Sequence, residues 1–509
     1  MSRNHKMIFN AGFTYGRMLL TAGLGLMSSR WILDALGDVD FGLFSVIGGI
    51  MGFLTFLNIS MASSVQRHFA YAIGSGNQQS VLEWFNAALL VHLLMAASLL
   101  LVGLPLGFYL VDNVLNIPLE RFEGSKLVLV YVLIATVVNI ATVPVVAMYT
   151  ATQRIGELAL FALISSVLNF ALAWELQSIK ADRFLFYGFW LALINISIPM
   201  LQVFRALSSF EECKIVFSHW LNKEKIKEIF AFAGWTLFGV LGNLSRSHGL
   251  VMLINYFFGP RVNSALGIAN QLAGQAEQIS QGLFAAMAPE ITASEGRGER
   301  ERMIVLALQA SKFSAFLSLI VILPLLSEID FILNLWLKSV PQYTTSLCWI
   351  VLVTFFIEKL TSGYMIAVSA HGKIAMYQMS LGGILLLTLP IAYLLANIGT
   401  EPSFVLASCI ITGLLCMFGR LFWVNWLLKV PVVKWVKKVL GPVFIVMTLT
   451  IIYIVAIKYL INDFYGDIFI FLGAPFVLCC VVYFFGLEIN EKKFLLIVTR
   501  KLLVRFNLR

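Results

Sequence analysis

The chain has 509 residues, of which 60% are hydrophobic and only 12% are charged, and its formal net charge is +9. Soluble domains carry roughly 25% charged residues, so this composition excludes a soluble globular protein. Apolar runs near the ~20 residues that a membrane-spanning helix needs recur from end to end. The composition therefore predicts an all-α protein that crosses a membrane many times.

Fourteen apolar runs are predicted as transmembrane helices. None alternates with period two over about ten residues, which excludes a membrane β-barrel. The segment MSRNHK leads directly into the first run without a small-residue cleavage site, so we expect no cleaved signal peptide. The predicted spans are residues 7–33, 41–64, 81–111, 126–149, 157–178, 184–206, 229–257, 263–288, 303–327, 344–370, 374–396, 403–428, 440–460 and 466–487.

The spans are predicted to form two lobes of six helices, followed by two further helices. No connecting segment is long enough to fold as a separate domain. The predicted segments are an N-terminal lobe (1–206), a cytoplasmic linker (207–228), a C-terminal lobe (229–428), a basic linker (429–439), spans thirteen and fourteen (440–487) and a basic cytoplasmic tail (488–509).

Lys and Arg are distributed unevenly between the two sides of the predicted membrane. With the N-terminus inside, 24 basic residues lie on the cytoplasmic side and 7 on the other. The positive-inside rule therefore predicts that both termini are cytoplasmic. The net positive charge is then a signal for membrane insertion and a match to anionic lipid, and it does not indicate nucleic-acid binding.

An internal repeat links the two predicted lobes. A shift of 222 positions places the first two spans on spans seven and eight without a gap, and it aligns Gly37 with Gly259. It also aligns the two glycines of AIGSGN with those of SEGRGE. Because both copies begin with an odd-numbered span, the repeat is parallel, with its pseudo-two-fold axis along the membrane normal. Two like-oriented lobes around a central cavity are the predicted architecture.

The first glycine pair, Gly74-Ser75-Gly76, has two interpretations. A phosphate-binding loop would need a strand before it and a helix after it. The preceding segment is too long and too apolar for a strand. We therefore interpret the pair as a turn that ends a helix at the cytoplasmic face and occurs once in each lobe.

Five basic residues within the predicted spans are singled out, because ionisable side chains inside a membrane are costly and mark functional sites. We expect them to line a water-filled cavity for an anionic cargo, since arginine matches phosphate oxygens well. Two alternatives remain open: Arg30 reaches the external end of its span, and Lys359 pairs with the adjacent Glu358. The five candidate substrate-binding residues are Arg17, Arg30, Arg246, Lys312 and Lys359.

Span eight is unusually polar for a transmembrane helix. Asn263, Asn270 and Glu277 recur every seven residues and share one helix face, which suits water or sugar hydroxyls. Hydrogen bonding between helices is the alternative. Glu277 and Glu358 are candidates for uptake of a proton or Na⁺ as coupling ion. The predicted polar cavity lining is Asn263, Asn270, Gln271, Glu277 and Gln281.

Motifs of soluble enzymes do not occur in the sequence. It contains no Walker loop, no supported Ser-His-Asp order and no His or Cys spacing typical of a metal site. We therefore predict no catalytic site, no metal site and no cofactor apart from a coupling H⁺ or Na⁺.

Arg17 and three stretches resemble the Wzx-type polysaccharide flippases of the multidrug/oligosaccharidyl-lipid/polysaccharide (MOP) exporter superfamily. In the first half they are Arg17, SSRWILDALGDVDFGLFSVIGGI and LNISMASSVQRHFAYAIGSGN, and in the second half MIAVSAHGKIAMYQMSLGGILLLTLPIAYLL. The resemblance implies a bacterial inner-membrane protein that moves an undecaprenyl-diphosphate-linked oligosaccharide, such as an O-antigen unit, to the periplasmic leaflet. It also implies two lobes that alternate access, no enzymatic activity, and contact of Arg17 and Arg30 with the diphosphate-sugar.

Three other functions compete with this interpretation. A multidrug exporter of the same superfamily should prefer an acidic cavity, whereas the deep charges here are mostly basic. The lipid II flippases also have fourteen spans, but their amino-terminal motif is less similar. A membrane glycosyltransferase or polymerase would usually carry a large loop or paired carboxylates. The expected partners are the lipid-linked oligosaccharide, membrane lipid and other surface-glycan assembly proteins, and no nucleic acid.

Overall fold

The computed structural model describes residues 3–74, 77–152, 154–372, 374–461, 464–489 and 491–492. Within these ranges the regular structure is entirely helical, which confirms the all-α prediction. The helices are α1 (Arg3–Leu54), α2 (Phe56–Gly74), α3 (Gln78–Asn113), α4 (Phe122–Ala151), α5 (Ile155–Glu175), α6 (Arg183–Ser209), α7 (Lys223–Leu244), α8 (Leu250–Phe258), α9 (Pro260–Gly296), α10 (Arg300–Ser327), α11 (Ile329–Trp336), α12 (Thr344–Lys359), α13 (Ser362–His371), α14 (Ala375–Leu386), α15 (Thr388–Asn397), α16 (Pro402–Leu406), α17 (Ser408–Leu428), α18 (Val432–Trp435), α19 (Gly441–Leu460) and α20 (Phe464–Val481).

Short non-α turns interrupt or connect these helices. Single π-helical turns at Ser245–Gly249, Val436–Leu440 and Val482–Gly486 join α7 to α8, join α18 to α19 and follow α20. The 3₁₀ turns Leu119–Arg121, Glu211–Cys213 and Phe217–His219 lie in the connecting segments. None of these breaks was predicted from the sequence, because hydropathy does not distinguish one helix type from another.

Each of the fourteen predicted spans coincides with helix. By length and hydropathy, ten helices of the described chain could cross a membrane, or eleven if the bent pair α12 and α13 is one span. α9 is not among them, since Asn270, Gln271 and Glu277 lower its hydropathy. The polytopic membrane prediction is confirmed, while the predicted count of fourteen stays a prediction, because this criterion covers only the described residues.

The internal repeat recurs in the backbone conformation. α1 is broken at Gly37, where φ is 74° and ψ is 175°, and Gly259 between α8 and α9 has φ 79° and ψ −179°. This region of φ and ψ is almost restricted to glycine. The two positions that the 222-residue shift aligned therefore turn the chain in the same way. Gly298, in the second copy of the glycine pair, also has a positive φ of 77°, as a helix-ending turn requires, whereas Ser75 and Gly76 of the first copy lie outside the described residues.

The chain divides into two compact units, each with its own packed interior. In the first, α2, α3 and α4 bury residues such as Phe69, Phe85 and Tyr149. In the second, α9, α10 and α12 bury Ile322 and Leu352. Unit 1 comprises Met1–Gln271, Leu337–Leu347 and Gln378–Thr412, and unit 2 comprises Leu272–Trp336, Cys348–Tyr377 and Gly413–Arg509. The division into two six-helix lobes stays a prediction.

Candidate substrate and ion-coupling site

A broken helix in unit 2 positions one of the predicted cations. α12 ends at Lys359, and α13 begins at Ser362 after a bend of 43°. A break in a helix leaves backbone carbonyls and amides without their intrahelical partners. Inside a bilayer these groups must find partners within the protein, so such breaks occur where neighbouring helices supply them.

Side chains of neighbouring helices satisfy the groups freed by this break. Trp435 Nε1 donates to the Leu360 carbonyl at 2.9 Å, and the Gly363 amide donates to Ser311 Oγ at 3.0 Å. Arg420 Nη1 donates to the Glu358 carbonyl at 3.4 Å and to Thr361 Oγ1 at 3.3 Å. The bend is therefore held by α10, α17 and α18.

Gly363 allows the second half of the broken helix to approach α10 closely. A Cβ atom at this position would lie 2.0 Å from the Ala307 carbonyl oxygen, far inside van der Waals contact. Only glycine fits this position. Gly363, the central residue of the pattern SGY in span ten, thus permits the close packing beside Lys359.

Lys359 forms an ion pair with Glu277 of α9. The Lys359 ammonium contacts Glu277 Oε2 and lies 4.5 Å from the centre of the Phe355 ring and 5.8 Å from that of Phe284. The Lys359 side chain is only 7% exposed, whereas that of Glu277 is 34% exposed. Any solute that reaches this pair therefore meets the carboxylate first. The sequence analysis predicted both residues as functional, and it gave a pair of Lys359 with the adjacent Glu358 only as an alternative.

Lys312 forms a second and more deeply buried ion pair. Its Nζ lies 2.6 Å from Glu491 Oε2, and the two side chains are 2% and 6% exposed. Glu491 also accepts hydrogen bonds from Gln309 Nε2 at 3.3 Å and from the Glu488 amide at 2.8 Å. Glu491 neutralises Lys312 inside the packed helices of this structure, and the expected place of Lys312 in a water-filled cavity stays a prediction.

The predicted arginines lie in the other compact unit or outside the described side chains. Arg30 is half-buried on α1, and Arg246 is half-buried in the π-helical turn Ser245–Gly249. Arg17 and Gln281 lie outside the residues whose side chains are described. Within unit 2, Lys312 and Lys359 have separate carboxylate partners, so a single shared chamber for all five cations stays a prediction.

The polar face of α9 is divided among different environments. Gln271 Nε2 donates to the Gly25 carbonyl at 3.0 Å, which is the helix–helix alternative of the sequence analysis. Asn263 is fully buried, and its amide has no hydrogen-bond partner among the described residues. Asn270 is exposed, and Glu277 pairs with Lys359. One face of a helix therefore contains both structural and accessible polar groups.

Two residues of this arrangement were missed by the sequence analysis. Glu491 falls in the segment predicted as a basic cytoplasmic tail, and Arg420 was counted among the cytoplasmic positive charges. A usable signal existed for Arg420, since it lies eight residues inside predicted span twelve. For Glu491 the only signal was a pair of acids, Glu488 and Glu491, in the segment EINEKK of an otherwise basic tail.

No protein-family model matches the sequence, and no curated protein shows significant sequence similarity to it. Solved structures do share its fold. An inward-facing multidrug-resistance MATE transporter of the MOP superfamily aligns with a TM-score of 0.69 at 12% identity, over 80% of this chain and 94% of its own. The lipid II flippase MurJ, in an inward closed conformation, aligns with a TM-score of 0.62 at 13% identity, over 92% of this chain and 98% of its own.

A third similar structure is a MOP superfamily transporter from Pyrococcus furiosus whose reversed binding-pocket polarity suggests a different function. It aligns with a TM-score of 0.61 at 14% identity, over 82% of this chain and 95% of its own. The present chain has the fold of a MOP-superfamily transporter. The MurJ alignment covers 92% of 509 residues, about 468, so it must extend beyond the 428 residues that precede the basic linker.

Proposed function

We propose that this chain is a flippase for a lipid-linked oligosaccharide in the bacterial inner membrane. It moves an undecaprenyl-diphosphate-linked glycan unit of the O-antigen type from the cytoplasmic to the periplasmic leaflet by alternating access of its two predicted lobes. The observation that carries the proposal is the fold match to a lipid II flippase over 92% of the chain. The basic character of the intramembrane charges supports an anionic cargo.

In this proposal Lys359 receives the anionic head group of the substrate. It is held at the end of a broken helix, and broken helices commonly form the substrate sites of membrane transporters. Arg17, Arg30 and Arg246 supply further positive charge. Lys312 is proposed to have a structural role in place of the expected substrate-binding role. Its buried pair with Glu491 holds the segment after α20 against α10.

Glu277 is the proposed ion-coupling group, with Glu358 as the second candidate. When a phosphate oxygen replaces the Glu277 carboxylate at the Lys359 ammonium, Glu277 loses its positive partner. A proton or Na⁺ is proposed to take the place of that ammonium at Glu277. Substrate binding and ion binding are thereby linked through one lysine.

The test compares substitutions in a strain that depends on this chain for its surface glycan. Lys359→Met is expected to lower glycan export by about tenfold or more, the equivalent of ~1.4 kcal/mol in binding free energy. Lys437→Met, which removes an exposed lysine, is the matched control and should leave export unchanged. Normal export in the Lys359→Met variant, at normal membrane abundance, would contradict the proposed site.

A multidrug exporter is the second candidate, because the MATE transporter gives the TM-score of 0.69. A MATE-like antiporter would lower the accumulation of cationic dyes in cells, with no effect on glycan export. Dye accumulation measured in the same strains separates the two functions. For a glycosyltransferase or polymerase, the test is covalent change of a labelled lipid-linked sugar incubated with the purified chain, and we expect none.

A further inference from the structure

An apolar cavity of about 570 Å³ lies within unit 1, between α1, α3, α8 and α15. Its volume falls in the ~300–1,000 Å³ range of ligand pockets. The lining includes Phe53 of α1, Leu110 of α3, Met252 and Leu253 of α8, and Tyr393 of α15. It contains no charged residue, so water inside it would find almost no hydrogen-bond partners. The chemistry of the lining selects a hydrocarbon ligand.

The rim of this cavity includes large exposed apolar side chains. Leu106 and Tyr393, which line the cavity, are 38% and 50% exposed, and Leu394 beside the rim is 63% exposed. Large apolar side chains that remain exposed on transmembrane helices contact lipid tails. A hydrocarbon chain can therefore enter from the membrane between α3 and α15 without passing through water.

A basic residue, Arg246, lies close in sequence to the lining of the cavity. Gly249, which lines it, is the last residue of the π-helical turn Ser245–Gly249, and Arg246 belongs to the same turn. Single π-helical turns inside longer helices are frequent at functional sites. An apolar cavity with an arginine one turn away along its wall complements an amphipathic anion, a chain with a phosphate at one end.

We propose that this cavity holds the isoprenoid chain nearest the diphosphate of the transported lipid, and that Arg246 binds the diphosphate. The inference rests on the proposed function for the identity of the lipid. It adds a defined binding cavity for the isoprenoid chain, on the α3–α15 side of unit 1. The occupant is the transported lipid and not a phospholipid of the surrounding bilayer.

The experiment uses the full chain in phosphatidylethanolamine and phosphatidylglycerol vesicles with three photoreactive probes. These are a polyprenyl diphosphate with a diazirine near its phosphate end, the corresponding uncharged polyprenol, and a phosphatidylglycerol with a diazirine in one acyl chain. After irradiation, mass spectrometry locates the labelled peptides. We expect the diphosphate probe to label α8 and the 50–54 segment of α1, and the phospholipid probe to label mainly exposed positions such as Leu394.

Variants that fill the cavity make the test decisive. Leu253→Trp and Leu110→Trp fill it from opposite walls, and Leu394→Trp on the exposed surface is the matched control. Cavity labelling by the diphosphate probe should be lost in both filling variants and kept in the control. Arg246→Gln should abolish the preference for the diphosphate over the polyprenol. Size-exclusion profiles identify a misfolded variant. Because two filling substitutions on different helices are compared, the result does not depend on either one alone.

Two results would overturn the inference: equal cavity labelling by the phospholipid probe, or undiminished lipid flipping in both well-folded filling variants. Flipping by the unsubstituted chain, measured in the same vesicles, distinguishes this failure from failure of the proposed function. If the chain flips the lipid but the cavity is not labelled, only the present inference is wrong. If the cavity is labelled by the diphosphate probe but no lipid is flipped, the binding site stands and the flippase proposal is wrong.

Discussion

The two buried lysines of unit 2, Lys312 and Lys359, each have a carboxylate partner from a distant part of the chain. Glu277 is 82 residues from Lys359, and Glu491 is 179 residues from Lys312. The two pairs differ in accessibility, since Glu277 is 34% exposed and Glu491 only 6%. The more exposed pair suits exchange with a ligand, and the more buried pair suits a structural role.

The Lys312–Glu491 pair leads to a prediction about stability. Lys312→Met leaves Glu491 buried without its cation, which is expected to lower the free energy of unfolding by ~3–5 kcal/mol. The exchange Lys312→Glu with Glu491→Lys should recover much of the loss. Thermal unfolding of the purified variants in detergent measures both effects. A single variant as stable as the unsubstituted chain would show that the pair is not structural.

Glu295 at the end of α9 gives a prediction about pH. It accepts a hydrogen bond from Arg300 Nε at 3.2 Å and another from His371 Nδ1 at 3.1 Å. The Arg300 hydrogen bond lowers the pKa of Glu295 below its usual value of 4.5, with His371 adding to the effect. A lowered pKa stabilises the folded state above pH 4.5, and this contribution is lost as pH falls through the folded-state pKa.

The measurement is the thermal midpoint of the unsubstituted chain and of Glu295→Gln across this pH window. The unsubstituted chain should be the more stable of the two at pH 6, and the difference should shrink as the medium is acidified below the usual glutamate pKa. A difference that stays constant with pH would mean that the carboxylate charge is not what stabilises this turn.

At the residue scale, the sequence predicted which side chains are chemically important better than it predicted their partners. The cost of burying a charge marks Lys312 and Lys359 without any structure. The identity of a partner depends on which helices become neighbours, and that information is not local. For the same reason the stripe on α9 was predicted as one face, although Gln271 and Glu277 have different partners.

The repeated glycines act at the scale of helices, and they give a matched pair of substitutions. Gly37→Ala and Gly259→Ala each force a side chain into a backbone region that favours glycine, at a cost of ~1–3 kcal/mol. The two losses should be similar because the repeat gives both positions the same conformation. Gly48→Ala is the control, since it lies within α1 with open space around it and should be neutral or stabilising.

Thermal midpoints of the three variants in detergent check this prediction. Losses at both repeated glycines, with none at Gly48, would support a duplicated turn. An alanine variant at Gly37 or Gly259 that unfolds at the original temperature would contradict the assigned backbone conformation.

Helices were predictable as elements because an apolar run of membrane length has few alternatives. Their internal breaks were not predictable in the same way. The 43° bend after Lys359 depends on Trp435, Arg420 and Ser311, which belong to other helices and supply its missing hydrogen bonds. Hydropathy does not reveal those hydrogen-bond partners, so the tenth span was predicted as one continuous helix.

At the scale of the whole molecule, the resemblance to Wzx-type flippases implied a MOP-like architecture, and the fold of the chain agrees with it. The fold does not identify the substrate, since multidrug transporters and a lipid II flippase share it. Fold alone does not specify function, which depends on the chemistry of the site. The basic intramembrane residues and the apolar cavity are the features that favour an anionic lipid over a cationic drug.

The most direct test of this account is lipid flipping by the purified chain in vesicles. A fluorescent undecaprenyl-diphosphate oligosaccharide is placed in both leaflets, and a membrane-impermeant reductant bleaches only the outer one. With the active chain, nearly all fluorescence should be lost, whereas empty vesicles and the Lys359→Met variant should retain about half. Retention of half the signal by the unsubstituted chain, in vesicles that accumulate a cationic dye, would contradict the flippase and favour a drug exporter.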